Sequence, residues 1–527
     1  MQSPISTRMA STSLTYSPQA LYWNLEYRSG VAAPYLLAFG VACFLAISAI
    51  TFIPRPARNG KVYDLGGVSL FHAWQFFTRR YDFIQEKFKE SGRSAFRFNV
   101  VQHRVVSFSG EKARQAFFNE PGLSLVQGYK ILTGGWPELK DIDFQSDKDG
   151  QYIQDKVEEG FVKRILALIR KDRILATLPH LFVDLNRLMD DWGTAGTMNP
   201  FDEIYELVFQ MTIRMSTCKE IADDKKVVQE IAKQYWAVEH SASPFFLLFP
   251  SFPSPMKKAK AKATTALYKI LLSFVQQRRN SPTRTTDPID LFIAQGDTDD
   301  NIVGTIIGVV FSGVINTGTT TCWNLLCLGS SPVWKEKVIE DFKKLLHNNT
   351  PAMADEPIYK RLASIPYTAW EDELPAVDLV IKETLRIIGS SSAMRRNIHH
   401  DITVDGVSIK RGDFMTYQAA DAHFNPDVYT DPKKFDPGRY LEGREEDKKE
   451  AYAYIGWGAG RHFCAGMKLA KLEIKLVLAL FLLQFDFELV DANGNPRNSF
   501  PEPDPNQILQ TRPIGEPCFF KFKRISG

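Results

Sequence analysis

Hydrophobic and polar positions along the chain predict a mainly helical protein with a smaller β region. Between residues 63 and 299 the apolar side chains recur mostly at helical spacing, and short β-type runs such as residues 96–101 interrupt them. Residues 402–413 alternate strand-forming positions around Asp405 and Gly406, which are a two-residue turn signal. We therefore expect helices to dominate and predict a β-hairpin at this point.

The first long apolar run predicts a membrane anchor. Residues 31–53 carry no charge and are about long enough to cross a bilayer. They lie too far from Met1, and lack the basic lead-in, for a cleavable signal peptide. We predict a short polar tail at residues 1–30, a transmembrane helix at 31–53 and a proline-rich basic hinge at 54–62. A buried apolar helix of the following domain is the alternative.

Charges on either side of this run predict its orientation. Arg55, Arg58 and Lys61 follow it, whereas Arg28 and Glu26 precede it. Because positive charge accumulates on the cytosolic side of a spanning helix, we expect the bulk of the protein to be cytosolic.

A second uncharged run, residues 301–334, resembles a membrane span by hydropathy alone. Its polar side chains would be costly facing lipid but tolerable in a buried helix beside a cavity. These residues are Asn301, Asn316, Thr317, Thr319, Thr320 and Thr321. We predict a buried helix here rather than a second span.

Composition bounds the protein only loosely. The 527 residues could form about two to four average domains or one large one. A net charge of +3 gives no reason to expect a nucleic-acid partner. The six cysteines are scattered without CxxC pairs, which argues against a disulfide scaffold or a structural zinc site. This cysteine usage fits a reducing compartment.

The chemistry of the chain centres on residues 457–466, which read Trp-Gly-Ala-Gly-Arg-His-Phe-Cys-Ala-Gly. A helix is predicted after this loop because leucines recur close to one-face spacing, at Leu469, Leu472, Leu476 and Leu480. Cys464 then lies at a helix N-terminus, where free N–H groups and the helix dipole favour the metal-binding thiolate. Gly458, Gly460 and Gly466 allow sharp turns and close approach of a flat ligand.

This loop resembles the heme-binding loop of the cytochrome P-450 superfamily, whose pattern is Phe-Gly-x-Gly-x-Arg-x-Cys-x-Gly. The resemblance implies heme b as cofactor, with Cys464 as the axial iron ligand and Gly458 and Gly466 beside the ring. Trp457 replaces the usual phenylalanine, and His462 replaces the usual arginine that meets a heme propionate. A histidine here is also found in the sterol-demethylase branch, and the loop is similar to fungal members. The alternative is a lone buried cysteine at a helix start.

Three charged residues are predicted to form a buried network that braces the heme loop. Glu383 and Arg386 are three residues apart, which places them on one helix face. The resemblance implies that Arg439 joins them and that helix, arginine and cysteine loop follow in this order. A buried carboxylate and guanidinium survive only when mutually paired. For each residue alone, a surface ion pair is the alternative.

The resemblance also implies an arginine for a heme propionate just before the predicted hairpin. Arg396 occupies that place, and the adjacent Arg395 is a rival. His423 matches a family histidine that can also face the propionates. A solvated charge or an ordinary loop histidine is the alternative for each. We find no counterpart of the Trp-x-x-x-Arg pair that the family often has, and assign no residue to it.

The predicted oxygen site departs from the family pattern Ala/Gly-Gly-x-Asp/Glu-Thr. If Gly313 takes the second position and opens space over the iron, Ile315 stands at the acid position and Asn316 at the threonine position. A shift by one residue keeps Thr317 as the threonine and Asn316 as the acid, but puts Val314 at the glycine position. In both registers the acid that helps to organise proton-carrying waters is missing. We expect Asn316 to hold a water there.

The resemblance covers residues 63–527 and implies one large, mainly α domain with a smaller β region, the cytochrome P-450 fold. It implies a heme-thiolate monooxygenase that receives electrons from an NADPH-cytochrome reductase. A single-pass anchor would place the enzyme in the endoplasmic reticulum membrane with its catalytic domain in the cytosol. The segments that usually touch substrate are apolar with scattered Ser and Thr, which suits a terpenoid, sterol or polyketide of a specialised-metabolite pathway.

Two other functions are open at this point. A heme-thiolate isomerase or dehydratase acting on a peroxide without NADPH is favoured by Asn316 and Ile315. A non-catalytic heme sensor is a more distant alternative, because the anchor and the apolar segments count against it. Basic residues near the cysteine could form a docking patch for the reductase or an ordinary solvated face. They are Arg461, Lys468, Lys471, Lys475, Lys433 and Lys434.

Overall fold

The structure is a computed structural model, and the chain divides into two units, Met1–Pro54 and Arg55–Gly527. It describes residues 39–41, 43, 61–125, 127–128, 160–241, 254–497, 499–507 and 510–525. In the first unit the described residues are helical, but the anchor predicted at 31–53 falls almost entirely outside the described residues. The same holds for the polar tail and for most of the hinge.

Helices dominate the second unit, as the apolar spacing predicts. Those before the long central helix are α1 (Ser69–Thr78), α2 (Arg80–Ser91), α3 (Glu111–Asn119), α4 (Lys171–Asp190), α5 (Pro200–Ser216), α6 (Lys219–Ala222), α7 (Lys225–Glu239), α8 (Pro255–Asn280) and α9 (Pro288–Ala294). The central helix and those after it are α10 (Asp299–Gly329), α11 (Pro332–Asn349), α12 (Ile358–Ala363), α13 (Tyr367–Asp372), α14 (Pro375–Ile388), α15 (Ala420–His423) and α16 (Met467–Gln484).

The β region consists of one larger sheet and two small ones. Its strands are β1 (Tyr63–Asp64), β2 (Ala95–Val100), β3 (His103–Phe108), β4 (Leu123–Ser124), β5 (Ala195–Met198), β6 (Ser392–Asn397), β7 (Ile402–Val404), β8 (Val407–Ile409), β9 (Phe414–Gln418), β10 (Phe485–Val490) and β11 (Phe519–Arg524). The larger sheet has the order β1-β2-β3-β9-β6-β4, and a three-stranded sheet has the order β10-β11-β5. β7 and β8 pair antiparallel through a turn in which Asp405 and Gly406 have φ of 46° and 76°. The predicted hairpin is confirmed.

The helix α10 runs through the main apolar core. Among the helices that the structure describes, α10 alone is long and apolar enough to cross a membrane, with a mean hydropathy of 1.6 in its most apolar segment. Yet 72% of this segment is buried within the protein. It packs closely on α5, because a Cβ at Gly318 would lie 2.9 Å from the ring of Tyr205. The prediction of a buried helix rather than a second span is confirmed. Near the middle of α10, the side away from α5 includes the exposed residue Asn316.

The larger sheet separates two further apolar clusters. One face packs against α1 and α2 through residues such as Met394 and Phe414. The other face packs against α3 and against Ile455 and Ala459, which lead into the cysteine loop. The side of a strand on which a residue lies therefore decides whether it faces the loop.

Candidate active site around Cys464

The cysteine loop depends on two glycines with left-handed backbone. Gly458 has φ of 74°, and a Cβ there would collide with the carbonyl oxygen of His462. Gly460 has φ of 53°, and a Cβ there would collide with Oδ1 of Asn119 on α3. Gly466, in contrast, has an ordinary φ of −88° at the N-cap of α16, with open space where its Cβ would be. Sharp turning is required only at the first two glycines.

Cys464 stands at the start of α16, where the sequence predicts it. Its backbone N–H donates to the carbonyl of Trp457 at 2.8 Å, and its own carbonyl accepts from Met467 N at 3.3 Å. Cys464 is exposed, whereas Cys218, Cys322, Cys327 and Cys518 are buried.

The prediction that the loop alone favours a Cys464 thiolate is not supported. Although the Cys464 side chain is accessible to solvent, the protein packed around it partly desolvates Sγ and raises the pKa of the thiol above its usual value, and a backbone hydrogen bond from Gly466 opposes this only in part. A bound metal cation would favour the deprotonated form, because a coordinated thiol loses its proton outright.

The ring of His462 points back to the sheet. Its Nε2 lies 3.1 Å from the carbonyl oxygen of Leu123 on β4. Burial lowers the pKa of His462 to about 4, and the positive charge of Arg395 adds to this, so the ring is neutral at pH 7. Since the Leu123 carbonyl can only accept, the ring proton lies on Nε2. His462 is thereby held in one tautomer.

The two adjacent arginines of β6 lie on opposite faces of the sheet. Arg395 is buried on the face that carries Ala459, with its guanidinium 4.7 Å from the ring of Phe117. Arg396 lies on the other face, 5.5 Å from the ring of Phe414, and its NH1 is 3.5 Å from Oε1 of Gln127. Arg395 therefore shares the face of the sheet that packs on the cysteine loop, and the prediction that Arg396 meets a propionate stays a prediction.

The prediction that His423 faces a propionate is wrong. Its Nε2 accepts from Ile455 N at 3.0 Å, which leaves Nδ1–H to donate to the carbonyl of Gly389 at 2.8 Å. Burial, helped by the charge of Arg386, lowers the pKa of His423 to about 3. Both ring nitrogens are used to tie the end of α14 to the segment that leads into the loop.

The structure brings Glu383, Arg386 and Arg439 together with their side chains fully buried. Arg386 donates from Nε and NH2 to the two oxygens of Glu383 at 2.9 and 2.8 Å. Arg439 Nε donates to Glu383 Oε1 at 2.9 Å. The arginines also donate to backbone carbonyls, which ties α14 to residues 423–434. This pairing satisfies buried charges that would otherwise be costly.

Sequence reasoning missed two members of this network. The hydroxyl of Tyr440 donates to Glu383 Oε2 at 2.8 Å, and Arg439 NH1 pairs with Glu446 at 2.5 Å. Charge-assisted bonds from Arg444 and Arg439 hold the pKa of Glu446 at about 2 although burial opposes them. Tyr440 adjoins Arg439 in sequence, which was a usable signal. Glu446 has no such signal, because only the fold of residues 430–446 brings it inward.

One face of α10 opens on accessible space, with Asn316 at its centre. Asn316 is exposed, while Ser312 one turn earlier is half-buried and Thr320 one turn later is buried. Each of these side chains donates to the carbonyl oxygen four residues earlier, at 2.7 Å. Nδ2 of Asn316 is thereby used, which leaves Oδ1 as the acceptor of this exposed side chain.

The other two predicted residues of this helix lie away from that centre. Thr317 is 4% exposed, and its carbonyl accepts from the hydroxyl of Thr321 at 2.8 Å. A Cβ at Gly313 would lie 3.5 Å from the side chain of Thr212 on α5, so this glycine faces a neighbouring helix. Neither register is decided by these surroundings: Asn316 is the exposed residue, whereas Thr317 is buried and Gly313 faces α5. The roles predicted for Gly313, Asn316 and Thr317 stay predictions.

Comparisons with known proteins agree with this arrangement. The family model described as Cytochrome P450 matches residues 194–519. Cytochrome P450 monooxygenase nsrP of Aspergillus novofumigatus is 30% identical over 473 residues, covering 87% of this chain and 90% of the relative. The chain belongs to the cytochrome P450 family. Heme with an axial cysteine thiolate is accordingly its cofactor, and the protein is an oxidoreductase of the monooxygenase type.

Other relatives of this cytochrome P450 lie in fungi and plants. AacuE, a cytochrome P450 monooxygenase of Aspergillus aculeatus, is 29% identical over 491 residues, covering 91% of this chain and 96% of the relative. Obtusifoliol 14-alpha demethylase of Sorghum bicolor is 24% identical over 442 residues, covering 81% and 83%. The solved structure of retinoic acid bound cyanobacterial CYP120A1 superposes with a TM-score of 0.66 at 19% identity, covering 86% of this chain and 96% of that one. The predicted fold is confirmed.

The residues around Cys464 fit the heme of a cytochrome P450. The thiol is exposed at a helix start, and the open space at Gly466 admits a flat group close to the backbone. Arg395 supplies a positive charge on the same side of the sheet. The loop therefore offers a soft sulfur ligand, which ionises on coordination, and the sheet offers a cationic group for carboxylates.

The basic surface beside the loop is smaller than predicted. Lys475 is buried, and its Nζ bonds the Trp370 carbonyl at 2.8 Å and the Asp378 carboxylate. Lys471 also pairs with Asp378, at 2.8 Å. Lys475 is therefore removed from the predicted patch. Exposed basic side chains that stay in it are Arg461, Lys468, Lys433 and Lys434.

Proposed function

We propose that Cys464 is the axial ligand of the heme and that this cytochrome P450 hydroxylates or oxidises a lipophilic small molecule. The observation that carries the proposal is the exposed Cys464 thiol on a loop whose backbone two glycines and a buried ion network hold in place. When bound, heme thiolate activates dioxygen so that one oxygen atom can be inserted into a C–H bond. The protein residues then have three tasks: binding the heme carboxylates, managing protons and shaping the substrate pocket.

For the first task we assign a heme propionate to Arg395. His462 is neutral at pH 7 and its ring proton is engaged by the Leu123 carbonyl, so it contributes no positive charge. Arg395 lies on the loop side of the sheet, whereas Arg396 does not. A guanidinium also suits a carboxylate geometrically. His462 then acts by holding β4 against the loop.

For the second task we assign a water to Asn316. A carboxamide has no proton that it can release near pH 7, so it cannot replace an acid directly. Its Oδ1 can hold a water whose protons come from solvent, with Ser312 as a neighbouring hydroxyl on the same face. We assign no proton-handling role to Gly313 or Thr317, which lie beside the exposed face of α10 that carries Asn316.

The substrate class proposed is a terpenoid, sterol or polyketide of a specialised-metabolite pathway. It is supported by the isoleucine, leucine and alanine residues of 387–393 and 508–511, with scattered Ser and Thr among them, and by the fungal monooxygenases among the relatives. Sterol demethylases among the relatives support a rigid lipophilic molecule as well. Selection among these classes depends on the pocket-lining side chains rather than on the fold.

The electron donor proposed is an NADPH-cytochrome reductase on the endoplasmic reticulum. The uncharged run at 31–53 supports a single-pass membrane anchor, and the basic residues after it support a cytosolic catalytic domain. Arg461 and Lys468 are exposed beside the cysteine loop, with Phe463 half exposed between them, and form a surface for an acidic partner. Neutralising both basic residues should slow reduction more at low than at high ionic strength.

The test begins with the spectrum of the reduced, carbon monoxide-bound protein. We expect the red-shifted Soret band of thiolate ligation in the wild type and in Cys327→Ala, whose cysteine is buried elsewhere, and its absence in Cys464→Ala. Well-folded wild type without heme would refute the proposal. Candidate lipids are then offered with and without NADPH and reductase. Turnover of a peroxide without NADPH would replace hydroxylation by the isomerase alternative.

A further inference from the structure

The cysteine loop is held from a second side, which the ion network does not reach. The network of Glu383 and its arginines acts on residues 423–446 and, through His423, on Ile455. The helix α3 (Glu111–Asn119) instead contacts residues 450–460 directly. These contacts join positions more than 330 residues apart in the chain.

Arg114 is at the centre of this second contact and is 1% exposed. Its Nε donates to the carbonyl of Ala451 at 3.1 Å, and its NH2 pairs with Glu450 at 2.8 Å. Its NH1 donates to the hydroxyl of Tyr417 on β9 at 3.1 Å. One buried guanidinium therefore joins α3, the sheet and the segment that precedes the loop.

Both ends of α3 add to this contact. At its start, Oε1 of Glu111 accepts from Ala451 N at 3.2 Å. At its end, Oδ1 of Asn119 accepts from the hydroxyl of Tyr452 at 3.0 Å and lies directly against Gly460. Because Gly460 has a left-handed φ and no room for a Cβ, the loop backbone fits against α3 in a single way.

Apolar packing supports the polar contacts. Phe117 and Phe118 of α3 belong to the same buried cluster as Ile455 and Ala459 of the loop segment. The ring of Phe118 meets the ring of Tyr452 edge-on at 6.1 Å. Apolar packing and hydrogen bonds to α3 thus hold residues 451–460 in the same position.

The helix is itself fixed to the sheet. The backbone N–H of Gly110, at its N-cap, donates to the Asp421 carboxylate at 2.8 Å. The Tyr417 hydroxyl, which accepts from Arg114, donates to the same carboxylate at 2.5 Å. A displacement of the loop would therefore have to break contacts with an element that cannot easily follow.

We propose that α3 is a second positioning element for the heme-ligating loop and that Arg114 is its central positioning residue. This inference rests on the proposed function, because it takes Cys464 as the iron ligand. The ion network sets the position of the segment before the loop, and α3 sets the position of its apex at Gly460. Loss of either contact lets the loop drift, and a drifting thiolate is more readily protonated and lost as a ligand.

The first test compares Arg114→Met and Arg114→Lys with Arg278→Met. Arg278 is a similarly buried arginine that pairs with Asp290 and Glu220, neither of which belongs to the loop or to α3. The half-life of the red-shifted thiolate band is measured in the carbon monoxide-bound holoenzyme at a temperature well below melting. We expect it to shorten about tenfold in Arg114→Met, the effect of losing about one buried charged hydrogen bond. Arg114→Lys should be intermediate.

The control separates positioning from general stability. Arg278→Met should lower the melting temperature as much as Arg114→Met does, but should keep the thiolate band within about twofold of wild type, since it touches no part of the loop. A thiolate half-life in Arg114→Met equal to that in Arg278→Met would overturn the inference.

A second readout keeps the inference testable if Arg114→Met does not fold. Tyr452→Phe removes the hydroxyl bonded to Asn119 and keeps the ring. We expect hydrogen exchange of peptides within 451–466 to become faster in Tyr452→Phe and Arg114→Lys than in Arg278→Met. Unchanged exchange in both variants would exclude the role of α3. If wild type showed no thiolate band, the assignment of Cys464 would fail, whereas the exchange experiment would still decide the α3 contact.

Discussion

A buried acid on α16 makes the stability of this cytochrome P450 depend on pH. Glu473 is 2% exposed, and within the described part of the chain its Oε1 has no hydrogen-bond partner. Burial alone raises the pKa of Glu473 to about 8 from an ordinary value of 4.5. At neutral pH the folded protein therefore keeps this carboxyl protonated, whereas the unfolded chain ionises it.

The sign of the effect follows from proton counting. Between pH 4.5 and about 8 the folded state binds one proton more at Glu473 than the unfolded state, so its stability falls as pH rises. The slope is about 1.4 kcal/mol per pH unit. From pH 5.5 to 7.5 this single group should remove about 2.7 kcal/mol of unfolding free energy, as an upper estimate.

We expect Glu473→Leu to remove this pH dependence and to raise stability at pH 7.5. For a domain of this size about 1 kcal/mol corresponds to about 1 °C, so the advantage of the variant in melting temperature should grow by about 3 °C from pH 5.5 to 7.5. The melting-temperature advantage of Glu473→Gln over wild type should grow with pH in the same way as that of Glu473→Leu. It should be smaller at each pH, because a buried carboxamide still lacks hydrogen-bond partners.

The assay is thermal unfolding of the heme-loaded protein at several pH values, with each variant compared with wild type at the same pH. The differences between variant and wild type cancel the titration of all other groups, including His423 and His462, whose lowered pKa values act in the opposite direction. Parallel pH profiles of wild type and both variants would refute the reasoning.

Three further results are expected. Glu383→Gln should destabilise the fold by about 3–5 kcal/mol because it leaves two buried guanidinium groups undercompensated, and denaturant unfolding measures this loss. Heme content after purification should fall as well, and normal heme content would contradict the bracing role. Arg395→Leu should weaken heme binding about tenfold or more, whereas Arg396→Leu should stay within about twofold, in a competition assay with apomyoglobin; equal losses would contradict the assignment of faces. Asn316→Ala should lower the product formed per NADPH by up to about a hundredfold with a matching rise in peroxide, and unchanged coupling would exclude its water.

Several features followed from sequence because they depend on local backbone chemistry. The hairpin at residues 402–409 needs only alternating side chains around Asp405 and Gly406, and the structure has both residues at positive φ. The buried course of α10 followed from polar side chains that lipid would not accept. The position of Cys464 at a helix start followed from glycines and leucine spacing that belong to one segment of chain. Turn, burial and helix-start signals of this kind depend on residues that are close together in sequence.

Other features were decided only by the tertiary structure, since they concern which of two neighbours faces the site. Arg395 and Arg396 differ by one position in a strand, and only the packing of Phe117 and Ala459 on one face distinguishes them. Asn316 and Thr317 differ by about 100° around a helix, and only the packing of α10 in the core leaves Asn316 exposed and Thr317 buried.

Long-range partners were likewise beyond the sequence. The buried Lys475 pairs with Asp378, which lies 97 residues earlier in the chain. The helix α3 contacts the segment before the cysteine loop although more than 330 residues separate them in sequence. Spacing along the chain carries no signal for such pairs, because they form only when the whole core has packed. The sequence by itself therefore predicted the candidate ligand Cys464 and its loop, and it determined the class of fold. The tertiary structure decided which side chains support that ligand, because support depends on direction and contact rather than on residue type.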